Sequence, residues 1–299
     1  MDSKYVVNDD FVSVNDVVKE ILGEIEQSQK NVLGVTGIST GFDALDSLTN
    51  GLQPGEFIVL GGRPSMGKTA LALNIAKRVG SNSGDMVAYF SLEMSERQLT
   101  NRIMSSESRI SFADISRSGL SNEEWMNVIS AADKVAKLNI LIDDTPGISV
   151  GDIYNKCCSL QKKYGLSIVI IDYLQLITSN DKKETRREEV AEVSRVLKAL
   201  ARGMNVPVIV LSQLSRAVDQ REDHHPLLSD LRESDATEQE ADMIIFLYRD
   251  KYYNKDSSKG NLAEIMVSKH RNGKCGMVEL FWDPESTNFY EKDNSKYLD

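Results

Sequence analysis

Residues 62–69 read Gly62-Arg63-Pro64-Ser65-Met66-Gly67-Lys68-Thr69, a complete G-x-x-x-x-G-K-[ST] phosphate loop. It follows the apolar β-type run Glu56-Phe57-Ile58-Val59-Leu60 and precedes Ala70-Leu71-Ala72-Leu73-Asn74-Ile75-Ala76, a strong helix former. That strand, loop and helix order restricts the fold to sheets whose strand ends can present a helix N-terminus to an anion. The glycines let successive backbone N–H groups curl round phosphates, Lys68 is placed to reach the β- and γ-phosphates, and the Thr69 hydroxyl to ligate magnesium. The helix adds its positive dipole end. The expected ligand is a nucleoside triphosphate with Mg2+, cradled by Gly62, Arg63, Pro64, Ser65, Met66, Gly67, Lys68, Thr69 and Ala70.

A chain of 299 residues with 41% hydrophobic side chains is long enough to bury a proper core, as one large domain or two ordinary ones. Its net charge of -10 argues against indiscriminate binding to DNA or anionic membranes, so any nucleic-acid contact must be local. Cys157, Cys158 and Cys275 lack metal-binding spacing, and an odd cysteine count suits a reducing compartment. His224, His225 and His270 form no zinc frame. The most apolar stretch, 166–177, is too short to span a bilayer and carries Asp172, so the expectation is a cytoplasmic protein with no membrane segment.

Near the start, Ser13-Val14-Asn15-Asp16 is a capping-type pattern opening a run with Val14, Val17, Val18, Ile21, Leu22 and Ile25 at helical spacing. Its apolar stripe either folds back on the body or docks on another subunit. From Thr40 onward apolar runs alternate with helical patterns, which predicts a mostly parallel sheet covered by helices, an α/β fold. Strands are predicted at 57–60, 87–91, 140–143, 168–172, 208–212 and 243–248, and helices at 68–79, 96–105, 122–138, 150–164 and 187–204. Runs at 263–269 and 276–282 flank an Asn272-Gly273 turn and predict an appended C-terminal β-hairpin. The expected layout is an N-terminal linker at 1–33, one ATPase domain at 34–289 and a polar, frayed tail at 290–299.

A phosphate loop alone suits a kinase, a GTPase or a transporter ATPase, so its partners must decide. The strand Ile168-Val169-Ile170-Ile171 ends in Asp172, which would join the magnesium shell at the carboxyl edge of a parallel sheet. A second run, 86–92, ends in Glu93, an acid able to polarise an attacking water. A third, 208–212, ends in Gln213, whose amide both donates and accepts, as a γ-phosphate sensor must. In a doubly wound sheet these three endings share one edge.

The stretches GISTGFDALDSL (37–48), FSLEM (90–94), DYLQ (172–175), LSQLSR (211–216), LSDLRES (228–234), EQEAD (238–242) and KHRNG (269–273), with the phosphate loop, closely resemble the RecA-like motor domain and linker of the DnaB-type replicative DNA helicases. The resemblance covers about residues 11–289. It implies a head-to-tail homohexameric ring that hydrolyses ATP at subunit interfaces, threads single-stranded DNA and unwinds duplex, served by a helicase loader and a primase. By position it makes Glu93 the catalytic base, Asp172 the metal-shell acid and Gln213 the sensor, with Lys269 and Arg271 acting on the neighbouring subunit's γ-phosphate. The helix at 14–25 becomes the linker that docks on an adjacent subunit.

The resemblance also assigns 216–234, with Arg216, Arg221 and Arg232, to a central-channel loop in which Arg232, Glu233 and the backbone at Asp235 approach DNA phosphates. Here the sequence departs from the family, which usually carries glycine where Asp235 stands, and a carboxylate beside phosphate is electrostatically awkward. Members also carry a separate domain before the linker, so a shortened form is expected. Two rival readings share the fold: a RecA- or KaiC-like recombinase or regulator, and an ATP-binding assembly module that does not unwind.

Overall fold

The computed structural model describes residues 13–28, 35–115, 119–179, 183–231 and 235–292. Helix α1 (Val14–Ser28) is followed by α2 (Asp43–Thr49), β1 (Phe57–Gly62), α3 (Lys68–Gly80), β2 (Val87–Ser91), α4 (Glu96–Ser108), α5 (Phe112–Ile115), α6 (Asn122–Val135), β3 (Ile140–Asp143), α7 (Val150–Tyr164) and β4 (Ile168–Asp172). The second half runs α8 (Arg186–Met204), β5 (Val208–Gln213), α9 (Asp235–Glu240), β6 (Met243–Tyr248), α10 (Asp250–Tyr253), β7 (Leu262–His270), β8 (Gly276–Asp283) and β9 (Asn288–Glu291).

Among the described residues one sheet runs β3-β2-β4-β5-β1-β6-β7-β8-β9. Pairings from β3 to β6 are parallel and those from β6 to β9 antiparallel. The central strands are apolar throughout because both faces are covered. Along β1, Ile58 and Leu60 join the core shared with α3, while Phe57 and Val59 point the other way, into the core shared with α7 and α8.

Local chemistry sets the boundaries. Thr185 accepts from the Glu188 N–H and Glu188 reaches back to Thr185, so α8 opens on a capping box, and Val190, Val193, Leu197 and Leu200 of its predicted stripe are buried. Helix α6 stops at Val135, three residues before the predicted end. The chain there turns into β3, and Asn139 N–H donates to the Gly80 carbonyl at 2.9 Å. Helix α2 was not predicted; it is organised by buried Asp46, which accepts from Ser39 Oγ (2.6 Å), Thr40 N (2.9 Å) and Thr40 Oγ1 (2.7 Å).

The C-terminal expectation needs correction. Tyr290 does not begin a frayed tail: β9 continues to Glu291, pairing Tyr290 with Phe281 of β8. Its cause is a tertiary anchor, since Phe289 N–H donates to buried Asn74 Oδ1 of α3 at 2.8 Å and the Phe289 ring lies 4.6 Å from that of Trp282. The stripe on α1 stays exposed, with Val14, Val17, Val18, Ile21 and Leu22 all open to solvent, so it does not fold back on the body. No described helix is long and apolar enough to cross a membrane.

Phe289 thus carries β9 onto the helix that follows the phosphate loop. Phe289→Ala is expected to cost about 3–5 kcal/mol of unfolding free energy, the usual range for a buried aromatic, measured by urea denaturation. A loss well under that range would mean that β9 is peripheral.

Candidate active site

The parallel register assembles the site. Gly62 lies opposite Gln213 in the β1–β5 pair, and Ser91 opposite Asp172 in the β2–β4 pair, so the carboxyl ends of four strands meet at one edge. They border a cleft of about 440 Å³ lined by Lys68, Thr69, Glu93, Asp172 and Gln213, with Pro64, Ser65, Gly67 and Ala70 of the loop. The sequence-predicted base, acid, amide and phosphate loop are therefore brought together.

The loop has the backbone its spelling demands. Gly67 adopts φ 103°, a left-handed conformation, and a Cβ there would sit 3.1 Å from Phe289 Cζ, so only glycine fits. From Gly67 onward α3 points its free N–H groups into the cleft, and Leu71 N–H makes the first turn by donating to the Gly67 carbonyl (2.9 Å). The Met66 side chain is buried in the core and does not line the cleft.

Lys68 Nζ donates to the loop's own carbonyls, Gly62 at 2.8 Å and Arg63 at 3.2 Å. Burial lowers its pKa to about 8, against the opposing pull of Asp172 and Glu93. Thr69 Oγ1 donates to Asp172 Oδ2 at 2.7 Å, and Tyr89 Oη approaches the same oxygen at 3.5 Å. Burial pushes the Asp172 carboxyl up; the Thr69 hydrogen bond and the Lys68 charge oppose that rise. A hydroxyl and one carboxylate side by side are hard oxygen donors, a set suited to a magnesium ion completed by phosphate oxygens and water. No group of three or more His, Cys, Asp or Glu among the described residues forms a metal cage.

One expectation changes. The Arg63 guanidinium is not part of the cradle: it is turned away onto Asp219 and the Leu214 carbonyl. Lys269 and Arg271 do not enter the cleft of their own chain. Strand β7 runs antiparallel to β6, placing Lys269 opposite Ile244 and His270 opposite Met243, at the amino ends of the parallel strands. There Lys269 donates to the Glu238 carbonyl and Arg271 to that of Gln239. Arg221, named with the channel loop, is engaged bidentately by Asp230. Arg216 is exposed at the start of a short 3-10 turn, Arg216–Gln220, three residues after Gln213. Arg232 and Glu233 lie outside the described residues, and Asp235 opens α9.

The sequence reading missed four contributors. Gln175 Oε1 accepts from Gln213 N–H (3.2 Å) while its Nε2 donates to Ser212 Oγ (3.1 Å) and the Gln213 carbonyl (3.3 Å), fixing the Gln213 backbone. Arg102 of α4 and Trp282 of β8 line the cleft. Arg249 donates to the Ser65 carbonyl at 2.5 Å with its guanidinium 4.8 Å from the Trp282 ring centre. Only Gln175 carried a signal, as the end of the DYLQ stretch. The others depend on packing from distant segments.

Residues 37–291 match the family described as DnaB-like helicase C terminal domain. The chain is 46% identical over 280 residues to the replicative DNA helicase DnaB of Geobacillus stearothermophilus and 44% identical over 280 residues to the replicative DNA helicase DnaC of Bacillus subtilis. Each match covers 93% of this chain and 62% of the relative, so the chain spans less than two thirds of either. A solved ATPase domain superposes with a TM-score of 0.89 at 40% identity, covering 94% of this chain and 99% of that one. A structure titled as a DnaB-like replicative helicase and its interactions with primase superposes with a TM-score of 0.85 at 40% identity, covering 95% and 68%.

The lowered Lys68 pKa has a measurable consequence. Triphosphate oxygens favour the protonated amine, so ATP affinity should be flat below about pH 8, where Lys68 stays protonated. Above it affinity should weaken by up to about tenfold per pH unit, the limit for one linked proton. Titration of a fluorescent ATP analogue from mildly acidic to mildly alkaline pH checks this. The Lys68→Arg variant, whose guanidinium stays charged, should lose the slope, and an equal slope there would assign the proton elsewhere.

Proposed function

Because the chain belongs to the DnaB-like helicase C-terminal domain family, we propose that it is the motor of an ATP-driven, ring-forming translocase on single-stranded DNA that unwinds duplex during replication. The observation that carries the reading is the separation of its two cationic groups. The phosphate loop lies at the carboxyl edge of the parallel strands, Lys269 and Arg271 at the amino edge. A six-residue strand such as β6 separates those edges by about 20 Å. No side chain bridges that distance, so Lys269 and Arg271 serve a site on another copy. One chain then presents a phosphate loop on one edge and a cationic hairpin on the other, which builds a heterologous, head-to-tail contact that closes into a ring, a homohexamer by resemblance.

Within a site, the roles follow from placement. Lys68 leaves the Gly62 and Arg63 carbonyls for the β- and γ-phosphates, while the N–H groups at the start of α3 hold the anion. Glu93, exposed at the mouth of the cleft, orients and polarises the attacking water. Thr69 and Asp172 would hold magnesium, which neutralises phosphate charge when bound. Gln213, fixed by Gln175, senses the γ-phosphate. The neighbour's Arg271 adds a permanently charged planar donor to the developing phosphoryl charge, an effect worth about 10³ to 10⁵ in rate in related chemistry, and Lys269 stands beside it.

Burial lowers the Lys269 pKa, with Arg271 adding to the shift. Two crowded cations held by α9 carbonyls therefore gain from meeting an anion. The apolar stripe of α1 supplies a second contact surface for an adjacent subunit. DNA contact is local, as the net charge of -10 requires: Arg216 sits on the segment that leaves the sensor, and Arg232, Glu233 and the Asp235 backbone complete the loop by resemblance. Binding that grips phosphates should tolerate any sequence and fall with salt. A loader, a primase and a cytoplasmic location belong to the same reading.

Steady-state hydrolysis of the Glu93→Gln variant tests the catalytic half. Turnover should fall by about 10² to 10⁴ with nucleotide binding retained, and unchanged turnover would sink the base assignment. Subunit mixing tests the ring: Arg271→Ala and Lys68→Ala chains, each inactive alone, should recover hydrolysis when combined, because some interfaces then hold both intact groups. Absence of recovery at every ratio would refute action across the interface.

A further inference from the structure

We propose that Arg63 and Asp219 form the positioning pair through which the state of the phosphate loop reaches the segment 214–231. The inference rests on the motor reading and concerns residues to which that reading gives no role. Arg63 sits inside the phosphate loop yet faces away from it. Its Nε donates to Asp219 Oδ1 at 3.1 Å, its Nη2 to Asp219 Oδ2 at 2.5 Å and its Nη1 to the Leu214 carbonyl at 2.9 Å. A two-toothed guanidinium–carboxylate contact fixes orientation as well as distance. The Arg63 side chain is only 12% exposed, though Asp219 is 39% exposed, so the guanidinium end of the pair is shielded from water.

The other end of the same residue faces the catalytic amine. The Arg63 carbonyl accepts from Lys68 Nζ at 3.2 Å and from Met66 N–H at 3.3 Å. When Lys68 moves to a triphosphate, that carbonyl loses a charged donor. The Arg63 carbonyl then keeps only the Met66 N–H, so its backbone is held more weakly while its side chain still grips Asp219.

What Asp219 belongs to is stiff. Leu214 bridges Leu231, Ser215 N–H donates to the Asp230 carbonyl at 2.8 Å, and Arg221 clamps Asp230. Tyr253 Oη donates to Asp219 Oδ1 at 2.9 Å, and the His224 ring stacks on that of Tyr253 at 4.1 Å. A displacement of Asp219 therefore moves 214–231 as a block, carrying Arg216 with it. Gln213 reports the γ-phosphate at the first residue before this block; Arg63 supplies a second, parallel attachment.

Hydrogen exchange of the full chain with and without a non-hydrolysable ATP analogue tests the pair without DNA. The analogue should alter exchange across 215–231 in the native chain. Asp219→Asn should bind the analogue with native affinity and a native melting temperature yet lose most of that response, and Asp219→Glu should restore part of it. A response in Asp219→Asn equal to that of the native chain, or none in the native chain, overturns the proposal. A second arm measures oligothymidylate affinity with and without the analogue, where coupling of ordinary size gives about a 5- to 150-fold change. That change should shrink towards onefold in Asp219→Asn. A native chain that binds no oligothymidylate under either condition would refute the motor reading, while the exchange data still decide the pair.

Discussion

Parallel hydrogen bonding between β1 and β5 and between β2 and β4 sets Gly62 beside Gln213 and Ser91 beside Asp172. Every other functional placement depends on that register. A one-residue slip of β4 would turn Asp172 to the opposite face of the sheet and remove it from Thr69. The register is strongly specified because alternate residues of each central strand enter two different cores, so a slip exchanges the two faces wholesale. Burial on both faces thus does more than stabilise the sheet: it fixes the relative positions of a hydroxyl, two acids, an amide and an amine, of which only Thr69 and Asp172 share a hydrogen bond.

The antiparallel extension serves the same cleft from its far side. β7 and β8 carry the chain out from β6 and back, and β9 returns under α3, where Phe289 and Trp282 lie against Gly67. The loop's left-handed glycine is therefore required twice, by its own backbone and by the aromatic pair beneath it. Arg249 links the Ser65 carbonyl to the Trp282 face, so the loop is braced from the hairpin as well as from β1. The hairpin that brings Lys269 and Arg271 to one edge of the sheet also buttresses the phosphate loop at the other.

Much of this was legible in the amino-acid order, for reasons that differ by element. The strands 87–91, 140–143, 168–172 and 243–248 and the helix 150–164 coincide with prediction, because continuous apolar runs and 3.6-residue periodicity report burial directly. The meeting of Glu93, Asp172 and Gln213 at one cleft was legible because each follows such a run and strand ends of one parallel sheet meet by topology, and Lys68 and Thr69 were legible from the phosphate-loop spelling. Elements held by tertiary polar contacts were not. Helix α2 turns on the buried Asp46 network and β9 on Asn74, and neither residue differs in the sequence from an ordinary surface polar group. The same limit explains Arg63 and Arg221. Both sit in motifs that read as anion-binding, yet Asp219 and Asp230 engage them, and partner choice is a property of the fold.

Those two engaged arginines bear on how an acidic chain handles polyanions. With a net charge of -10, free guanidinium groups would be few against the background of carboxylates. Arg63 and Arg221 each hold a carboxylate of the same segment, Asp219 and Asp230, and so remove two negative charges from the neighbourhood of Arg216 while stiffening its support. Neutralisation and rigidity come from the same bonds. Arg216 is thereby left as an exposed cation on a braced loop two of whose acids, Asp219 and Asp230, are paired with arginines.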